Sequence, residues 1–405
     1  MNQSKAHFFS ISLQAVYWMV FCSIHSYAAV FLSSLGFAST NIGLVIAISS
    51  LISVFAQPMV GSWIDQNNKV RLKKASVILV AMAFVASVTL IVILSSLSIA
   101  LLFYMLALIF TITLQPLFSA LILQLKEKQE NVSFGVSRAF GSLAFAGASA
   151  FIGSTVEKST ASVIPYITSV LLLALLLIVV NFPALISSKK SEKAPEKNMS
   201  VTDPLDIPEK FVRRVKKQYP TFLWVIFGLS FIFIFHSMAN VFLVKIVEAV
   251  GGTQRQFGFA LSLMAMVEIP VMMGSGKLIR RFGTRKLFAF SMVFYVIRSI
   301  ALLMAGNMVA IYFAQLLQAL SFALYIPISV AYVGEIMAKY DLVKGQTLVV
   351  SATTLGSVTG SLLGGIVIDM FGVPQMLVIG AASTVIGATL VLLGLKKGQD
   401  GTFLS

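Results

Sequence analysis

The chain has 405 residues, of which 58% are hydrophobic and only 11% charged. A water-soluble domain carries about 25% charged residues and needs a polar surface, so an ordinary cytosolic enzyme is excluded. Thirty Lys and Arg against fifteen Asp and Glu leave a net charge of +15, which reads as nucleic-acid binding in a soluble protein and as orientation in a membrane protein.

Apolar runs long enough to cross hydrocarbon, about 20 residues each, lie at 11–33, 41–63, 74–95, 98–122, 134–154, 162–186, 220–246, 256–279, 286–305, 308–336, 345–368 and 373–394. Lipid tolerates no open backbone, and the alternation of a membrane barrel is absent, so the runs predict helices. The expected fold is an all-α membrane protein with twelve transmembrane helices in two six-helix halves, 1–186 and 220–405. The polar stretch 187–219, with nine Lys or Arg, five Asp or Glu and three prolines, reads as a cytoplasmic linker. The first run lacks a small-residue cleavage site and is expected to stay as a span. Cys22 is the single cysteine, so no intrachain disulfide forms.

With both termini cytoplasmic, twenty-five of the thirty basic residues fall in inner segments. Only Lys158, Lys245 and Arg255 fall outside, which is the bias expected of a protein in the cell inner membrane. Nucleic acid drops out as a partner; the lipid bilayer and a small organic solute take its place. Arg138 and Arg298 remain, both inside predicted spans.

Ionisable groups at lipid depth are costly and are usually tied to a cavity or pathway. Arg138 either snorkels to the interface or offers a planar donor fork to hydroxyls or a carboxylate in a central cavity. Glu268, just before Pro270, exchanges a proton, contacts solute, or pairs with Arg298 as a structural lock. His25 and His236 occupy comparable mid-span positions and are either packed in the core or donors to a solute or to proton movement. Asn240 lies one turn beyond His236 on the same face. Gln14, Tyr17 and Trp18 suit a sugar-like or aromatic solute, and Gln57, Gln115, Gln315, Gln318 and Tyr325 add neutral hydrogen-bonding capacity at depth. Asp65, Glu335 and Asp369 are expected at the cytoplasmic ends of the second, tenth and eleventh spans. Asp65 and Asp369, with Arg285, read as gate or loop-clamping charges, while Glu335 is a candidate for pointing inward to proton coupling. No His, Cys and carboxylate cluster has metal-ligand spacing, and no Walker A sequence or nucleophile–base arrangement is present. No enzyme activity or cofactor is expected.

Gly276 to Lys286 resembles the cytoplasmic loop motif of the major facilitator superfamily, and Gly61 to Lys74 is a looser version with Asp65 at its acidic position. Within that superfamily, Phe134-Gly-Val-Ser-Arg138-Ala-Phe-Gly141 resembles the Phe-Gly-x-x-Arg-x-Phe-Gly of the lactose permease group, the oligosaccharide, nucleoside and phenylpropionate proton symporters. The resemblance implies that Arg138 binds solute, that Glu268 contacts it, and that Arg298 serves proton coupling. It also implies that one chain, a monomer, suffices for transport, with the proton as coupling ion. Ala120, Gln318 and Ser321 stand where the group has a glutamate, a histidine and a proton-carrying glutamate, so coupling would need Glu268 or another group. The expected function is a secondary active transporter, a proton-coupled symporter of a sugar, nucleoside or small aromatic acid working by alternating access. The alternative is a proton-driven exporter of drugs or sugars.

Overall fold

The computed structural model describes residues 3–65, 70–92, 97–128, 132–183, 215, 217–338 and 341–400. Most of the linker lies outside the described residues, as does the side chain of Asp65. Among the described residues, twelve helices are long and apolar enough to cross a bilayer. They are α1 (Ala6–Ser26), α2 (Ser39–Ile64), α3 (Leu72–Val92), α4 (Leu97–Lys126), α5 (Phe134–Lys158) and α6 (Val163–Asn181), then α7 (Pro220–Val241), α8 (Gln254–Phe282), α9 (Thr284–Leu303), α10 (Met308–Ile336), α11 (Leu342–Phe371) and α12 (Val373–Lys396).

The ends of these helices follow from local chemistry. Helical structure is already present from Gln3, since polar residues ahead of the apolar run continue the helix at no cost in water. α6 stops at Asn181, short of the predicted 186. Phe182 is extended at φ −58° and ψ 135°, as expected of a residue preceding a proline, here Pro183. Thr253 and Gln256 form a reciprocal capping box at the start of α8. The Asn307 side chain accepts the Ala310 N–H at 3.0 Å and starts α10. Gly283 and Gly372 turn α8 into α9 and α11 into α12 at φ of 80° and 92°, where a side chain would be strained.

An even number of spans puts both ends of the bundle at one face, called here the terminal face; the other is the far face. Within the first half α3 packs on α4 and α6, and α1 on α5. The second half repeats the plan, with α9 on α10 and α12, and α7 on α11. Two crossings join the halves, α2 with α11 and α5 with α8, and they exchange under the half-to-half correspondence.

Both crossings are built from small residues that let backbones touch. At Gly153 of α5 a Cβ would stand 2.6 Å from the Gln254 carbonyl oxygen of α8, and at Gly365 of α11 it would collide with the Ser39 carbonyl of α2. The Ser149 and Ser262 hydroxyls meet at 2.8 Å, and Ser262 also donates to the Ala146 carbonyl at 2.5 Å. Tyr27 donates to the Ser149 carbonyl at 2.6 Å and stacks edge-on against Phe257.

Two carboxylates complete the far face. Asp369, near the end of α11, accepts the backbone N–H groups of Ser39 and Thr40 at 3.0 and 2.7 Å. Glu157, near the end of α5, accepts the Arg255 N–H at 2.7 Å. Each caps the start of a helix from the other half, where unpaired N–H groups and the helix dipole attract an anion. This corrects the expected position of Asp369. The eleventh helix runs from the terminal face outward, so its last turn meets the first turn of α2, whereas Asp65 ends α2 at the opposite face.

Candidate functional site

A cavity of about 370 Å³ lies between the halves, on the terminal-face side of these crossings. It is walled by α1 (Trp18, Phe21, His25, Ser26), α4 (Gln115), α5 (Arg138, Ser142, Phe145), α7 (His236, Asn240), α8 (Met264, Ala265, Glu268) and α10 (Gln318, Phe322, Ile326).

Arg138 reaches the wall from the second turn of α5, which Ser133 caps by accepting the Val136 N–H at 3.4 Å. One guanidinium nitrogen donates to Ser142, a turn further on, at 2.7 Å. The guanidinium carbon lies 4.0 Å from the Trp18 ring centroid, close enough for cation–π attraction. Trp18 is itself fixed, since its indole N–H donates to Gln14 Oε1 at 2.9 Å. A Cβ at Gly141 would lie 2.6 Å from the indole Cδ1, so the glycine after Phe140 makes room for that ring. Gln14 therefore acts behind the cavity wall. Tyr17 does not reach the cavity either. It is buried in the core of the first half against Phe118 and donates to the Thr111 carbonyl at 3.2 Å.

His25 and His236 face the cavity from corresponding helices, each stacked on a phenylalanine. His25 lies 4.6 Å from Phe21 at an interplanar angle of 12°, and His236 lies 4.5 Å from Phe322 at 17°. Both pairs involve a single π-helical turn, Cys22–Ser26 in α1 and Ala319–Ala323 in α10. Such turns insert an extra residue per turn and re-aim side chains, often at functional sites. His236 Nε2 and Asn240 Nδ2 are 2.9 Å apart, the i,i+4 contact the sequence predicts.

Glu268 and Arg298 are not in direct contact. Gln318 Nε2 donates to Glu268 Oε1 at 3.0 Å, and Arg298 Nη2 donates to Gln315 Oε1 at 3.2 Å. Two amides one turn apart on α10 thus hold the opposite charges on separate partners, within electrostatic reach of each other. Arg298 is fully buried, and its Nε and Nη1 find no partner among the described residues. The Tyr295 hydroxyl, His236 Nδ1, Asn240 Oδ1 and Gln318 Oε1 are also buried and unpartnered. Such a network is costly until its donors and acceptors are matched.

Glu335 lies away from the cavity lining. It accepts a hydrogen bond from the Thr284 hydroxyl and joins the end of α10 to the start of α9 at the terminal face. Arg285 follows Thr284 in the same turn, within electrostatic reach of Tyr332. Phe21, Phe145, Phe322 and Ser142 line the cavity without having been singled out from the sequence. Ser142 carried a signal, standing four residues after Arg138.

A twelve-helix bundle of two like halves around a central, mixed polar and aromatic cavity is the architecture of a membrane transport protein, not an enzyme. The chain belongs to the MFS_1 like family, whose model matches residues 10–378. Two solved structures of the nucleoside transporter NupG, one of them a mutant, are similar to it. The mutant has 15% identity and a TM-score of 0.75, covering 95% of this chain and 99% of that one. The other has 16% identity and a TM-score of 0.74, covering 98% and 100%. A bacterial homolog of the human lysosomal transporter Spinster, in an inward-facing and unoccupied conformation, has 14% identity and a TM-score of 0.69 over 98% of each chain. No curated protein matches the sequence.

Proposed function

We propose that this transporter is a proton-coupled symporter that carries a small organic solute, a sugar, nucleoside or small aromatic acid, by alternating access. The observation that supports it most is the cavity between halves, where Arg138 and Glu268 stand among two imidazole–phenylalanine stacks and Trp18. Fixed donors and acceptors beside flat apolar rings suit a solute with hydroxyl or carboxylate groups and a planar or ring-shaped body. The bias of Lys and Arg makes the terminal face cytoplasmic in this reading, so the cavity belongs to the inward-open state and the twin caps form the closed outer gate. Glu268 carries the proton, because it is the carboxylate among the cavity-lining residues.

Counterflow in proteoliposomes, run with a panel of sugars, nucleosides and aromatic acids, tests the reading. Exchange of one class, with net uptake of the same class accelerated by an inward proton gradient, is the expected result. Net uptake indifferent to the gradient would remove the coupling, and efflux driven by an inward proton gradient would favour the exporter.

The outer gate has its own test. Asp369→Asn weakens the acceptor on the α2 N-terminus and should shift the chain toward the state open at the far face. A cysteine introduced by Ser262→Cys, in a chain carrying Cys22→Ser, should then react faster with a membrane-impermeant maleimide added outside. An unchanged rate would show that Asp369 holds nothing shut.

A further inference from the structure

A second cavity, of about 590 Å³, lies between α5 and α8. Its lining is apolar, with Phe134, Val136, Phe140, Ile269, Met272 and Met273 on the walls, and it shares Arg138 and Ser142 with the central cavity. The two helices touch through Gly153 and Ser149 toward the far face and diverge toward the terminal face, leaving this groove between two adjacent membrane-spanning segments. Val136, Phe140 and Met273 are exposed on it. A gap between neighbouring helices at bilayer depth opens onto lipid, so the groove links hydrocarbon to a guanidinium.

Charge settles what such a groove would hold. Arg138 makes its one side-chain hydrogen bond to neutral Ser142, and no carboxylate lies within ion-pair distance of it among the described residues. Among the described residues, Glu268 is the one carboxylate within electrostatic reach of Arg138 and Arg298, which leaves one positive charge in excess there. An anion is attracted there, and the walls select one with an apolar tail. Along α5 the groove runs from Ser133 to Ser142, about 14 Å, with Arg138 near its middle, so its walls flank about five carbons beyond a carboxylate on Arg138 and the rest of a tail lies in the adjoining hydrocarbon. Arg138 stands in the second turn, so a carboxylate at the headgroup level needs to move only about 8 Å inward.

The geometry points to a lateral binding site for a single-chain fatty acid taken from the bilayer, its carboxylate on the Arg138 fork and its tail between α5 and α8. This is separate from the solute site but shares Arg138 with it, so an occupied groove competes with solute.

Trp18 is the reporter, since it lies against Arg138. In nanodiscs of zwitterionic lipid, a chain with Trp63→Phe and Trp224→Phe should show saturable quenching of Trp18 by 2-bromodecanoate. Methyl 2-bromodecanoate, equally apolar and equally brominated but uncharged, should quench only in proportion to its partitioning. Arg138→Gln should raise the half-saturating concentration about tenfold or more, the worth of one lost charge-assisted hydrogen bond. Gly135→Phe places a ring at the groove, where a Cβ makes ordinary contact with the Ser133 hydroxyl at 3.9 Å, and should weaken quenching while leaving counterflow of any solute unchanged. Equal quenching by acid and ester, or saturable quenching that survives both substitutions, would overturn the proposal. The quenching needs no transport, so a chain that binds the acid but moves no solute would count against the symporter and not against this site.

Discussion

Replacing Arg138 by lysine is expected to lower solute affinity about ten- to hundredfold, the worth of one charge-assisted hydrogen bond, while leaving the chain folded. Lysine keeps the charge but loses the planar fork, and three features of the site depend on that plane. The guanidinium carbon lies over the Trp18 ring at 4.0 Å from its centroid, one guanidinium nitrogen donates to Ser142 at 2.7 Å, and the residue lines the cavity. An ammonium on a flexible stem can make one of these contacts at a time. Equilibrium binding to the purified chain, with a solute identified by counterflow, is the measurement. If Arg138→Lys binds as well as the parent, Arg138 is only an interfacial cation and the cavity reading loses its main support.

The second large effect belongs to Glu268→Gln. Counterflow, which needs no proton gradient, should persist, while acceleration of uptake by an inward gradient should fall at least about tenfold, as expected when a positioned proton carrier is removed. The same substitution leaves Arg138 and Arg298 without a carboxylate at depth. Removing one partner of a buried charge pair costs about 3–5 kcal/mol; the cost here should sit at or below the lower end, because Gln315 and Gln318 separate the charges. The melting temperature in detergent should fall accordingly, and Glu268→Gln with Arg298→Met should recover part of it by removing the orphaned cation. Proton-driven uptake that survives Glu268→Gln would rule out Glu268 as the carrier. A melting temperature unchanged in the single variant would mean that Arg298 is neutralised by some other group.

The twelve spans could be read directly from the sequence, because apolar continuity over a bilayer thickness admits one backbone solution. Arg138, Glu268, His25, His236 and Gln318 could be picked out as polar residues at apolar depth, and the structure brings all five to one cavity. What could not be read was rotation. Tyr17 and Trp18 are neighbours in α1, yet one faces the core of its own half and the other the cavity, and no spacing rule separates them. The π-helical turns shift the phase of α1 and α10, so the stacking of Phe322 on His236, eighty-six residues apart, has no trace in local pattern. The position of Asp369 was different. Counting spans puts the end of an odd-numbered helix at the far face, so parity alone contained the answer.

The two caps on the far face are unequal in what they ask of each side. Asp369 and Glu157 give carboxylates, and what they grip on the other half is main chain at Ser39, Thr40 and Arg255, with the hydroxyls of Ser39, Thr40 and Thr253 beside it. Every residue except proline supplies that N–H. The main-chain part of the grip therefore survives substitution at the receiving positions, whereas the giving carboxylates have no substitute. A search for paired substitutions between the halves would register only the hydroxyl part of this contact. A half taken from a diverged copy of the chain would still find a grip on its partner, provided its helices began at the same point.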